Sequence, residues 1–289
     1  MSLKRGLGAV ALIGALSLVA GASPAPAAVT VGQTNTPAVA CGEFDRVQPS
    51  VTSGNSYVVP STGGVTNWTV TSWSAQGGTS PDQMAMKFYR SLGGVAYQIV
   101  GHDGPRTVAP NTPNTFQTSI AVKAGDILGN YTPDTVGPVC TFNVTGESYF
   151  RRSGNLADGT GGDFTLFNMD RRLNISAQVE PTNTFTVGAI TRNKKKGTAT
   201  VAITTQNPGA ATTSGNGVRV SSAGAHSSAI TVPGAGTAVQ VPIRATGKKK
   251  KKLRSTGKVK LSPTISFTPT GGTASTQTVN VKLKLKLKK

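Results

Sequence analysis

Few residues in this chain could do chemistry: two cysteines, two tryptophans, two histidines, a scatter of carboxylates, and several runs of lysine. Cys41 and Cys140 are the only cysteines. In an exported chain a lone pair of thiols meets an oxidising environment, which predicts a disulfide. The bridge would close a loop of about 100 residues, worth up to about 4.7 kcal/mol if its effect is on chain entropy. Neither His102 nor His226 stands near a cysteine in sequence, so no metal site and no cofactor is expected.

Trp68 and Trp73 are separated by an odd spacing. In an unbroken strand they would point to opposite faces, leaving one indole exposed and able to stack on a sugar ring. A bulge between them would turn both into the core instead. Asp158, Asp163 and Asp170 lie in a glycine-rich stretch that offers either a calcium loop or polar turns. Their spacing matches no EF-hand, which favours turns. Asp103 and Asp126 are expected to cap turns through their carboxylates. His102-Asp103 could belong to a triad, but there is no G-x-S-x-G elbow, P-loop, dinucleotide fingerprint or H-E-x-x-H. Catalysis is therefore not expected, although two carboxylates brought together by folding would revive a hydrolase.

The lysines carry the strongest signal. Lys194, Lys195 and Lys196 form one cluster, and Lys248, Lys249, Lys250, Lys251 and Lys252 with Arg254 a second. Lys282, Lys284, Lys286 and Lys288 alternate with Leu283, Leu285 and Leu287. All 11 acidic residues fall between Glu43 and Glu180, beside nine Lys or Arg, whereas 19 of the 30 basic residues follow Glu180 with no acid among them. The formal net charge of +19 thus belongs to the last third of the chain. Clusters of one sign attract a polyanion such as cell-wall polymer, anionic headgroups or extracellular DNA. The plainer alternative is that they keep loops and edge strands soluble. They lack interleaved aromatics for base stacking, so sequence-specific nucleic-acid binding is not expected.

The elements that must position these residues read as strands. Thirty-five glycines and 17 prolines, with frequent Thr and Val, favour short strands joined by turns. Residues 1–28 have the layout of a secretory signal peptide: Lys4 and Arg5, an apolar run over 7–22, and an A-x-A site ending at Ala27. That run is short for a membrane span, and no later stretch would serve as one, so the mature chain is expected outside the cell without a transmembrane segment. Residues 29–180 read as a jelly-roll-like β-sandwich of about nine strands. In the run from Phe116 to Val122, Phe116, Thr118, Ile120 and Val122 share a face. A short hinge at Pro181, Thr182 and Asn183 leads to a basic domain over 181–289. There Ala199, Val201 and Ile203 alternate with threonines, 194–196 are expected at a hairpin tip between two strand-like runs, and 248–254 in another connection.

The segments Ser72-Trp73-Ser74, Met86-Lys87-Phe88-Tyr89-Arg90, Tyr97-Gln98-Ile99-Val100-Gly101-His102-Asp103-Gly104-Pro105-Arg106, Asn114-Thr115-Phe116 and Ile120-Ala121-Val122-Lys123-Ala124-Gly125-Asp126-Ile127-Leu128-Gly129 resemble a family of secreted actinobacterial β-sandwich proteins. The likeness covers residues 47–179 and implies fold and localisation but no activity. Gly197-Thr198-Ala199-Thr200-Val201 after a basic turn resembles the immunoglobulin-like domains of such proteins. The expectation is an all-β, secreted, non-catalytic structural or adhesive protein whose basic domain attaches to anionic envelope polymer. The rivals are a sugar-binding N-terminal domain, which needs an exposed aromatic platform, and a hydrolase, which needs paired carboxylates.

Overall fold

A computed structural model describes residues 28–133, 137–219, 229–234 and 236–287. The expected signal peptide lies outside the described residues except for Ala28. The chain is predominantly β, with one helix among the described residues. Among the described residues no helix is long and apolar enough to cross a membrane.

Among the described residues, thirteen strands precede Thr182: β1 (Val29–Gln33), β2 (Phe44–Val47), β3 (Asn67–Gln76), β4 (Asp82–Gly93), β5 (Ala96–Val108), β6 (Pro113–Lys123), β7 (Ile127–Thr132), β8 (Thr141–Asn143), β9 (Ser148–Ser153), β10 (Gly161–Asp163), β11 (Thr165–Asn168), β12 (Arg171–Leu173) and β13 (Ile175–Pro181). They form a four-stranded sheet in the order β1-β13-β3-β6, a seven-stranded sheet β10-β5-β4-β7-β2-β9-β11, and the pair β12-β8. The edge strands β10 and β11 of the larger sheet are separated by Phe164 alone, so this sheet curls until its two edges meet. The short strands β2, β7, β9, β10 and β12 were not expected from the sequence. They are brief and carry polar or charged residues, which hides the period-two pattern.

The apolar faces of the sheets share one core that includes Val70, Trp73, Met86, Phe88, Leu128 and Val179. The alternation expected in β6 is present, with Phe116, Thr118, Ile120 and Val122 turned inward relative to their neighbours. The disulfide Cys41–Cys140 ties the segment before β2 to the segment before β8, beside the bridge between Ala40 and Pro138.

After Pro181 come β14 (Phe185–Asn193), β15 (Thr198–Thr205), β16 (Gly209–Ser214), β17 (Val218–Arg219), β18 (Ile230–Val232), β19 (Ala238–Ala245), α1 (Gly247–Thr256), β20 (Lys258–Leu261), β21 (Thr264–Pro269), β22 (Ser275–Thr278) and β23 (Val281–Lys284). There are two four-stranded sheets, β14-β15-β19-β17 and β18-β16-β21-β22, and a separate ribbon β20-β23. A separate core runs from Phe185 to Leu283 and includes Val201, Ile203, Val241, Ile243, Ile265 and Phe267.

The junction at Pro181, Thr182 and Asn183, expected as a short extended hinge, is held by hydrogen bonds. Pro181 is the last residue of β13 and pairs with Trp68, and the Thr182 amide donates to the Asn67 carbonyl at 3.0 Å. Fully buried Asn207 accepts from the amides of Thr66 and Asn67 and donates to the carbonyls of Asn67 and Thr182. A buried amide with all these partners fixes the joint, because separating the two parts would leave several polar groups unpaired.

Candidate functional site

The two tryptophans do not form a sugar platform. Trp68 is 2% exposed and Trp73 0%. Against β13, Val70 and Ser72 pair with the consecutive residues Val179 and Gln178, which makes Thr71 a bulge, and the register against β6 is irregular at the same point. One extra residue converts the odd spacing into a shared inward face. Trp73 stacks near Phe116, with ring centroids 4.5 Å apart, and its indole N–H donates to Asp103 Oδ2 at 2.6 Å. The candidate sugar-stacking role of Trp68 and Trp73 is corrected to core packing.

Five carboxylates have basic side chains as partners. Asp45 pairs with Lys87, Asp103 with Arg106, Asp126 with Arg90, Glu147 with Arg172, and Asp158 with His102. Asp126 caps the turn as expected, accepting the Lys123 amide at 2.7 Å. Asp103 does not: it lies within β5 and binds the Trp73 indole and Arg106. Partial burial alone would raise the Asp103 carboxyl, but the hydrogen bonds from Arg106 and Trp73 outweigh it and hold the group below its usual value. Asp158, Asp163 and Asp170 do not converge. Asp158 meets His102, Asp163 ends β10, and Asp170 accepts the Gly146 amide at 2.7 Å.

Burial and pairing single out two interior polar groups that sequence reasoning missed. Arg172 and Glu147, 3% and 2% exposed, lie 2.5 Å apart, with Thr52 donating twice more to the same carboxylate. Lys87 and Asp45 form the other pair, 1% and 0% exposed. The clue to Lys87 was its place in the otherwise apolar run from Met84 to Tyr89.

The basic clusters, far apart in sequence, are brought to one end of the C-terminal part. The β14–β15 hairpin turns at 194–197, where Asn193 Oδ1 accepts the amides of Lys195 and Lys196 at 3.1 and 3.0 Å. Gly197 takes φ 65, and a Cβ there would stand 3.0 Å from Leu253 of α1 and 3.4 Å from Leu285. The tip is thus seated against the helix and the last strand. The Lys286 amide donates to the Lys194 carbonyl at 2.9 Å, and the Leu285 amide to Gly257 at 2.8 Å.

The run of 248–252 with Arg254 was expected in a connection, and it forms α1 instead. Lysine is a good helix former, and Leu253 supplies the one buried side chain that docks the helix. Gly257, at φ 70, ends it by donating to the Leu253 carbonyl. Arg254 sits in the last turn, where a cation suits the helix dipole, and no acid sits in the first turn.

Between hairpin tip, strand end and helix lies a cleft of about 590 Å³ lined by Lys196, Arg244, Thr246, Lys250 and Arg254. A second concavity of about 660 Å³ continues across Lys196 and Arg244 to Arg192, Lys194 and Lys195. Lys196, Arg244, Lys250 and Arg254 are all exposed, and among the described residues the ion pairs all lie at or before Arg172. Helical spacing carries Lys250 and Arg254 into this cleft on the same side as Gly247, while Lys249 packs over Gly217. In β23 Lys282 and Lys284 are exposed and Val281 and Leu283 buried, so the expected alternation is present there.

Comparison with family models, with curated proteins and with solved structures finds no match.

Proposed function

We propose that this is a secreted, non-catalytic structural or adhesive protein that attaches to anionic envelope polymer through the basic end of its C-terminal domain. The observation that carries the reading is the convergence of Lys196, Arg244, Lys250 and Arg254 around one open cleft, in a region whose sequence contains no acid. Like charges are gathered there at an electrostatic cost that solubility alone does not require, and a polyanion would relieve it. On this reading residues 1–28 are the export signal, 29–180 a jelly-roll-like sandwich and 181–289 an immunoglobulin-like one. Kinship with secreted actinobacterial β-sandwich proteins belongs to the same proposal. The disulfide supports export, since such bonds persist in oxidising surroundings.

The test is retention of purified protein on isolated cell envelope and on long-chain polyphosphate, across a salt series. Binding to both that falls steeply with salt supports the reading. Binding to neutral glycans that is indifferent to salt overturns it in favour of a sugar-binding module.

A further inference from the structure

The Lys87 ammonium group is held inside the curled seven-stranded sheet, within reach of an amide as well as a carboxylate. Its Nζ lies 2.6 Å from Asp45 Oδ1, 2.6 Å from Asn155 Oδ1 and 2.8 Å from the Leu156 carbonyl. The Tyr131 ring centroid is 5.1 Å away. Asp45 is oriented in turn: its Oδ2 accepts the Leu156 amide at 2.7 Å, and its Oδ1 also accepts the Tyr89 hydroxyl at 3.3 Å. Lys87 and Asp45 are almost wholly buried, whereas Asn155 sits at the surface with its side-chain carbonyl turned in.

A buried amine, a carboxamide touching it and a carboxyl group beside it are the three components of an acyl transfer from amide to amine. We propose that Lys87 and Asn155 are joined in the folded protein by an intramolecular isopeptide bond, with Asp45 moving the proton. In the first step Nζ passes a proton to Asp45 and becomes a neutral nucleophile. Its lone pair attacks Asn155 Cγ, and the new C–N bond forms as the carbonyl electrons move to Oδ1. The extra proton on Nζ passes through Asp45 to Nδ2. The carbonyl re-forms, the Cγ–Nδ2 bond breaks, and ammonia departs. The product is a secondary amide beside a protonated Asp45, and no oxidant or other reactant is consumed.

Burial favours the reaction at both ends. It lowers the affinity of Lys87 for its proton and raises that of Asp45, so proton exchange between them costs little. The product also replaces two buried charges with a neutral amide and a neutral acid, removing the desolvation penalty of an interior ion pair. The surface position of Asn155 gives ammonia an exit. The bond would tie β4 to the segment that follows β9, and this segment leads into β10 and β11, where the curled sheet closes.

The deciding experiment is intact-mass and peptide mass spectrometry of the purified, folded full chain after reduction. The expected mass is one ammonia below that of the mature sequence, with trypsin failing to cut after Lys87. The peptide carrying Lys87 should be recovered joined to the one running from Ser153 to Arg171. Lys87→Arg and Asp45→Ala should each restore the full mass, with circular dichroism confirming that each is folded. Full mass in folded wild-type protein overturns the proposal even if neither variant folds. So does a deficit carried by the Asn155 peptide alone, which would be a succinimide.

Discussion

Asn207 holds Asn67 by both of its backbone polar groups, accepting its amide at 3.0 Å through Oδ1 and donating to its carbonyl at 2.7 Å through Nδ2. One side chain from the connection between β15 and β16 thus occupies the position that a neighbouring strand would take beside the start of β3. Asn207→Ala leaves the polar groups of Thr66, Asn67 and Thr182 short of partners at a partly buried site. It is expected to destabilise the chain by about 1–3 kcal/mol. Limited proteolysis should show faster cutting near residues 182–184. An unchanged cleavage rate there, with unchanged chemical denaturation, would show that the junction does not depend on this clasp.

Acid sensitivity should be traceable to Glu147. Burial alone would raise its carboxyl, but the hydrogen bonds from Thr52 and Arg172 prevail and hold it below the usual 4.5. A depressed carboxyl contributes stability that is fully present above about pH 4.5 and is lost as pH falls through its folded value. Glu147→Gln should therefore flatten the decline of Tm with pH below 4.5, measured against wild type. It should also lower stability at neutral pH by about 3–5 kcal/mol, because Arg172 is left buried without its partner. A parallel decline in both proteins would assign acid unfolding to other groups.

The disulfide spans a sequence separation of 99. Replacing Cys41 and Cys140 together by Ser should cost about 2–5 kcal/mol in denaturant unfolding. The loss should fall on the unfolding of the N-terminal core. Phe185 to Leu283 form their own cluster, so their transition should keep its midpoint.

Charge removal at the cleft gives the fourth expectation. Each basic group near an anionic surface contributes about 1 kcal/mol, so Arg244→Gln, Lys250→Gln and Arg254→Gln together should weaken envelope binding by roughly two orders of magnitude. Raising salt to 1 M shrinks the range of exposed charges from about 10 to about 3 Å and should do the same to wild type. Changing Lys251 and Lys252, which do not line the cleft, should matter less. Equal losses from both sets would make the effect one of bulk charge.

The sequence by itself determined the strand-rich character, the pairing of its only two cysteines and the segregation of charge. These follow from composition, from counting, or from side chains that alternate with a period of two. It also marked the hairpin at residues 194–196, because a basic turn between two alternating runs has few other places to go. Tertiary structure decided the rest. One inserted residue at Thr71 turned both tryptophans inward, and spacing alone cannot reveal a bulge, because the register is set by the neighbouring strand β13. The lysine run became a helix because Leu253 found a docking site against Gly197 and Leu285, partners more than 30 residues away on either side. The cleft and the Lys87–Asp45–Asn155 cluster are likewise built from residues distant in sequence. Their chemistry depends on burial and on distances of a few ångströms, and both are properties of the packed sheets rather than of any local run.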